Sequence, residues 1–243
     1  MSSSAGPDII TNGLVLHLDA ADRKSYPGSG TVWTDRSGNG NHGALVNGPT
    51  FSSANGGSII LDGTNDHISI SNGNYLNTND FSISCWIYLN PILSIFTMYN
   101  FFDKNIYNTS GIQFGIGTGG ALSNRVLGIR YSTSGVIANT YQFVPSNLDI
   151  PFESWINISL VFSYINLNSF ISLYINGIFN AISSSSNGTF VPNTKNLTLG
   201  APGTGLGSYF NGKISNYLIY NKALSAQEIK QNFNATKSRF GLL

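Results

Sequence analysis

Cys85 is the only cysteine in the chain, so no disulfide can staple a monomer and no zinc site of the usual cysteine-bearing type can be built. It stands in an alternating apolar run, which predicts a buried, inert thiol. Charge is scarce as well: Asp, Glu, Lys and Arg together make up 9% of the residues, with a formal net charge of +1. Holding a phosphate backbone needs clustered Lys and Arg, and none is visible, which excludes nucleic acid as a partner. Nowhere do about 18 apolar residues follow one another, so membrane insertion is not expected. The opening MSSSAGPDI has neither the basic start nor the apolar run of a secretory signal, and the expectation is a soluble protein made without one. Asn-x-Ser/Thr triplets occur at Asn108, Asn157, Asn187, Asn196 and Asn234; in an Asn-rich chain without a signal they read as chance.

What is present fits an all-β chain. Hydrophobic residues make up 41% of the 243 and aromatics 12%, enough for a sizeable core and too many for disorder. Asn, Ser, Thr and Gly fill the balance; these are the residues of turns and of uncharged hydrogen-bonding surfaces. Such a surface suits sugars or protein neighbours. No linker divides the chain, so the reading is an N-terminal arm over residues 1–12 and one domain over 13–243.

The organising stretch is Trp155–Ala181. Ile156, Ile158, Leu160 and Phe162 alternate with polar or smaller residues, Phe170–Tyr174 repeats that rhythm, and both read as strands buried mainly on one face. Asn176-Gly177 between apolar residues signals a hairpin, because both central residues of a type I′ turn need positive φ. No long amphipathic helix is available to cover the hairpin, which leaves a second sheet.

The same period marks Gly13–Asp19, with Leu14, Leu16 and Leu18 on one face. Ser58–Gly63, His67–Ile70 and Phe81–Leu89 follow. In the last of these Phe81, Ile83, Cys85, Ile87 and Leu89 face one way and Ser82, Ser84, Trp86 and Tyr88 the other. Further strands are expected at 98–103, 112–116, 126–131, 141–144, 196–199 and 210–220. Ser183–Ser186 reads as a flexible loop by composition. Near the end, Ser225-Ala226-Gln227-Glu228 is a capping box with Leu224 and Ile229 as its staple. The short helix it starts is expected to lie over one edge or end of the sandwich, as packing only.

Six blocks in order, GLVLHLDAAD, WTDRSGNGNHG, GGSIILDGTNDHI, FSISCWI, LYING and FNGKISNYLIYNKALSAQEI, resemble the laminin-G-like branch of the concanavalin A-like lectin/glucanase superfamily. The resemblance spans nearly the whole chain. It implies a jelly roll of two curved antiparallel sheets with ligands on the concave face or rim loops. The ending FNATKSRFGLL is similar to the tails of standalone modules in bacteriophage structural proteins, which implies a place on a virion or another extracellular surface. Lectins, glycosidases, adhesion modules and purely structural domains share this fold, so the site must be argued separately.

Glycosidases of the superfamily place carboxylates in a Glu-x-Asp-x-x-Glu pattern, one attacking and one protonating. Glu153 and Glu228 are the only glutamates here and neither has an acidic neighbour, so catalysis is not expected. Many relatives carry a calcium ion at the rim, and calcium needs hard oxygens on Gly-rich loops. The candidate donors are Asp35, Asn39 and Asn41 in the first loop, Asp62 and Asp66 around the second, and Asn211. The competing reading has the same residues capping turns through Asx hydrogen bonds. For a glycan, Trp86 and Tyr88 offer rings for stacking, and Arg130 and Tyr131 lie at the end of another strand. The alternative for Trp86 is to cover the back of the sheet. The expected partners are glycans or neighbouring virion or surface proteins, a second copy of the chain among them.

Overall fold

A computed structural model describes residues 7–71, 76, 78–91, 99–106, 110–118, 125–131, 141–143, 150–186, 190–202 and 208–242. For some strand residues, Arg130 and Tyr131 among them, the description is of the backbone alone. The strands are β1 (Leu14–Asp19), β2 (Val32–Trp33), β3 (Gly43–Val46), β4 (Thr50–Ser52), β5 (Ser58–Asp62), β6 (His67–Ile70), β7 (Phe81–Leu89), β8 (Tyr99–Ile106) and β9 (Ser110–Thr118). They continue as β10 (Arg125–Tyr131), β11 (Tyr141–Phe143), β12 (Trp155–Ile165), β13 (Asn168–Ile175), β14 (Ile178–Ser186), β15 (Leu197–Leu199), β16 (Ser208–Tyr209) and β17 (Asn211–Tyr220), followed by helix α1 (Ala226–Thr236).

Two sheets form the sandwich. One has eight strands in the order β14-β13-β12-β7-β17-β5-β4, with β1 also on β17; the other has nine, in the order β11-β10-β9-β8-β15-β6-β3-β2, with β16 on β8. Apart from the β16–β8 contact every pairing is antiparallel. The two-sheet sandwich expected from the alternating pattern, and the jelly roll that the resemblance implies, are therefore the fold. Leu16, Leu18, Ile59, Ile68, Ile83, Cys85, Ile87, Phe102, Phe114, Leu160 and Tyr217 belong to one continuous core. Burial pushes the Cys85 thiol far up from its ordinary value, as the inert reading required.

Register slips explain where local reading and structure differ. A shift between Leu14 and Leu16 inserts one residue in β1, so Val15 packs toward the core and Leu14 toward a second cluster beneath the helix. The expectation that Leu14 shares a face with Leu16 is corrected accordingly. β17 carries a second shift between Ile214 and Asn216. Ile214 and Tyr217 both reach the core although three positions apart, and the extra residue, Ser215, turns Asn216 to the outer face. Ser183–Ser186 is not a loop: it completes β14, pairing with Asn168–Ile171. Tertiary pairing overrides low complexity there. The type I′ turn is present, with φ of 50° at Asn176 and 73° at Gly177.

The helix has the capping box, with Ser225 Oγ accepting from the Glu228 amide at 3.2 Å and Glu228 accepting from the Ser225 amide at 2.9 Å. It lies over the outer face of the eight-stranded sheet, where Ile229 and Leu224 pack with Val161, Tyr174, Leu218 and Tyr220. The described part of the N-terminal arm is fastened to it: Ile10 N–H donates to Asn232 at 2.8 Å and Gln231 donates to the Asp8 carbonyl at 2.8 Å.

Candidate functional site

Strand register lays out the outer face of the eight-stranded sheet in rows. Asn157, Trp86, Asn216 and Asp19 form one row across β12, β7, β17 and β1, flanked by Ser159, Ser84, Leu218 and His17 on one side and Trp155, Tyr88 and Lys213 on the other. The C-terminal segment crosses this face and divides it.

Its crossing point is Trp86. The indole is fully buried, stacks on Phe240 at 4.0 Å and Phe233 at 5.6 Å, and donates through Nε1 to Thr236 Oγ1 at 2.8 Å. Both ring faces and the polar edge are thus occupied, which corrects the expectation that Trp86 stacks on a ligand. Tyr88 remains half-open. It meets Trp155 edge-on at 5.6 Å, and the Lys213 ammonium sits 4.4 Å from its centroid. Trp155 packs against Phe240 and donates to Asn55 Oδ1 at 3.1 Å. Arg130 and Tyr131 end β10, opposite Gln113 and Ile112 of β9; their side chains lie outside the described residues.

On the other side of Phe240 opens a polar cleft of about 410 Å³, within the size range of small-ligand sites. Its floor is His17, Asp19 and Asn216; its walls are Pro7, Asp8 and Ile9 of the arm and Ala235, Thr236, Ser238 and Arg239 of the C-terminal segment. The helix is therefore more than packing, since its last turn builds one wall. Arg239 Nη1 donates to both oxygens of Asp19 at 2.9 and 2.8 Å, and the Ala21 amide donates to Asp19 as well. The pair neutralises itself and leaves the rest of the guanidinium facing the cleft. Burial holds His17 below its ordinary value against the pull of Asp19, Asp35 and Asp22, so its ring is neutral at pH 7.

Asn216 decides what the cleft is for. The residue is only 4% exposed, yet its side-chain amide makes no hydrogen bond to another described residue. Its amide is not among the buried polar atoms that lack a partner, so the solvent contact it keeps is through the cleft that it lines. Two bulk-free signals in the sequence point to it: the odd spacing from Ile214 to Tyr217, and the polar outward set His17, Asp19 and Asn216.

The calcium candidates all make local hydrogen bonds. Asp35 accepts from the amides of His17, Ser37 and Asn41 at 2.8, 2.9 and 3.0 Å and from Ser37 Oγ at 2.8 Å, which fills its acceptor capacity. Asn39 and Asn41 donate to the carbonyls of Leu14 and Val15. Asp62 accepts from the amides of Thr64, Asn65 and Asp66, and Asp66 from that of Asp62. Asn211 Oδ1 accepts from Asn90. Among the described residues no three acidic, His or Cys side chains cluster as a metal site. The Asp35, Asp62 and Asp66 contacts fit the Asx-cap reading, while Asn39 and Asn41 bond here through Nδ2 and their Oδ1 atoms take no part in these bonds.

Residues 62–230 match Laminin_G_3, of the concanavalin A-like lectin/glucanases superfamily. The chain belongs to this family. Among solved structures it is similar to domain 4 of AbnA, a GH43 extracellular arabinanase from Geobacillus stearothermophilus in complex with arabinotriose, at 16% identity, TM-score 0.66, and coverage of 91% of this chain and 98% of that one. It is also similar to the binding domain of Paraclostridial Mosquitocidal Protein 1, at 19% identity and TM-score 0.67, covering 93% of this chain and 52% of that one. The binding domain of Botulinum Neurotoxin DC in complex with SialylT follows at 18% identity and TM-score 0.64, with 93% and 52% covered. The family member thus spans about half the length of the two toxin binding domains. No curated protein matches it in sequence.

Proposed function

We propose that the protein is a non-catalytic recognition module that binds a neutral sugar residue in the cleft between β1, β17 and the C-terminal segment, presented on an extracellular or virion surface. The carrying observation is the unpartnered amide of Asn216 on a floor whose charges cancel. Asn216, the free N–H groups of Arg239 and the hydroxyl of Ser238 supply donors. Asn216 Oδ1, the neutral His17 ring and the Asp8 carboxylate supply acceptors, while Pro7, Ile9 and Ala235 offer apolar contact for a pyranose or furanose face. The similar structures in complex with arabinotriose and with SialylT support the class of ligand. Binding without bond cleavage fits the two glutamates, since Glu228 is held by its capping box and by Lys222 at 2.6 Å while Glu153 stands exposed before β12.

The test is a glycan array followed by calorimetry on the best hit. Asn216→Leu should abolish binding while the protein stays folded by circular dichroism. Unchanged affinity in that variant, or no glycan retained by the native protein, overturns the reading.

A further inference from the structure

β14 ends the eight-stranded sheet, and no described strand pairs with its outer edge. Natural edge strands are guarded by Lys, Pro or inward charges because their unpaired N–H and C=O groups template further pairing. This one has no such guard: no charged residue occurs between Glu153 and Lys195, a span that includes the whole of β12, β13 and β14. Ile178, Phe179 and Ile182 on β14 are 71%, 52% and 56% exposed. Cross-strand pairing puts Phe179 beside Tyr174 and Ile182 beside Ser172, on the outer face, where α1 touches β14 and yet leaves these side chains more than half exposed, with half-exposed Phe170 between them and the β12–β13 turn.

We infer that β14 is a homodimer interface, in which the strand pairs antiparallel with β14 of a second copy and extends the eight-stranded sheet across a two-fold axis. A two-fold contact sets each patch against itself, so any charge on it would meet a like charge. A charge-free edge avoids that conflict, and it offers nothing to a partner selected by opposite charge. Antiparallel backbone is self-complementary in the same sense, each strand presenting the donors and acceptors that the other lacks. The extra residue at Asn180, where the pairing with β13 shifts register, confines regular pairing to the part of β14 from Ala181 to Ser186, which places Ile182 within the contact. This interface is independent of the cleft.

Sedimentation equilibrium over a wide range of concentration tests it. The native protein should be dimeric, and Ile182→Lys, which places two ammonium groups within the contact, should raise the apparent dimer Kd by about 100-fold or more. Ile182→Glu should do the same, and mixing the two variants should restore the dimer. Phe179→Arg serves as the second probe if either fails to fold. A native protein that is monomeric throughout, or variants that dimerise as the native chain does, overturns the inference. Cosedimentation of a native monomer with phosphatidylcholine vesicles also overturns it, by assigning the patch to a lipid surface.

Discussion

Asp19 and Arg239, 220 positions apart, meet at 2.8 Å across the floor of the cleft. Asp19 is almost wholly enclosed, whereas about a third of the Arg239 side chain is open to solvent. Removing the cation strands a buried carboxylate. Arg239→Ala should therefore lower stability by about 1–3 kcal/mol and loosen the wall it supports, seen as a lower denaturation midpoint together with weaker glycan binding.

Asn216→Leu should behave in the opposite way. Replacing an amide that bonds no protein group with an apolar side chain of similar volume leaves no protein donor or acceptor unpaired. The melting temperature should hold or rise while binding is lost. A fall of several degrees would show that the amide serves the fold.

The Trp86–Thr236 bond fastens the C-terminal segment to β7. Thr236→Val keeps the shape and deletes the acceptor, so the indole N–H is left buried without a partner at a cost of about 1–3 kcal/mol. Trp86→Ala opens a cavity beneath Phe233 and Phe240 and should cost about 3–5 kcal/mol. Chemical denaturation of both variants checks the order.

The pH dependence follows from His17. Its folded value lies below the 6.5 of the free side chain because burial disfavours the cation. As pH falls through 6.5 the unfolded chain takes up a proton that the folded one refuses, so stability present above that pH is lost down to the folded value. His17→Gln should flatten melting temperature against pH across this window. Glu228 acts at lower pH: its bonds to Lys222 and the Ser225 amide depress its value below 4.5, and the stability they give is present above 4.5 and lost on further acidification.

Chelation gives a further contrast. Because four protein donors already fill the oxygens of Asp35, excess EDTA should leave the melting temperature unchanged while Asp35→Ala should cost about 2 kcal/mol of stability. A chelator-sensitive transition would restore calcium to the rim.

Much of the sandwich was legible because period-two alternation is a one-dimensional signal: Phe81–Leu89 and Trp155–Ile165 announce their buried faces residue by residue. What escaped were events that depend on a distant partner. Ser183–Ser186 carries no strand signature of its own and is recruited by β13. The slips at Val15 and Ser215 exchange faces without changing composition, and the second of them aims Asn216 at the cleft. Trp86 was placed correctly on the outer face, yet its cover arrives some 150 residues later along the chain. Tyr88, by contrast, stays half-open where the alternation put it, and the neighbours that shape its surroundings, Trp155 and Lys213, come from strands that only register could align with it.

The pairing of β1 with β17 also sets the order of assembly during synthesis. The first strand leaves the ribosome about 200 residues ahead of its neighbour, an interval of about 10–40 s at ordinary elongation speeds. Throughout that delay Leu16 and Leu18 lack the neighbour they pair with, and the helix and cleft can close only after residues 226–240 emerge. Truncation before β17 should therefore forfeit the earliest strand as well as the latest.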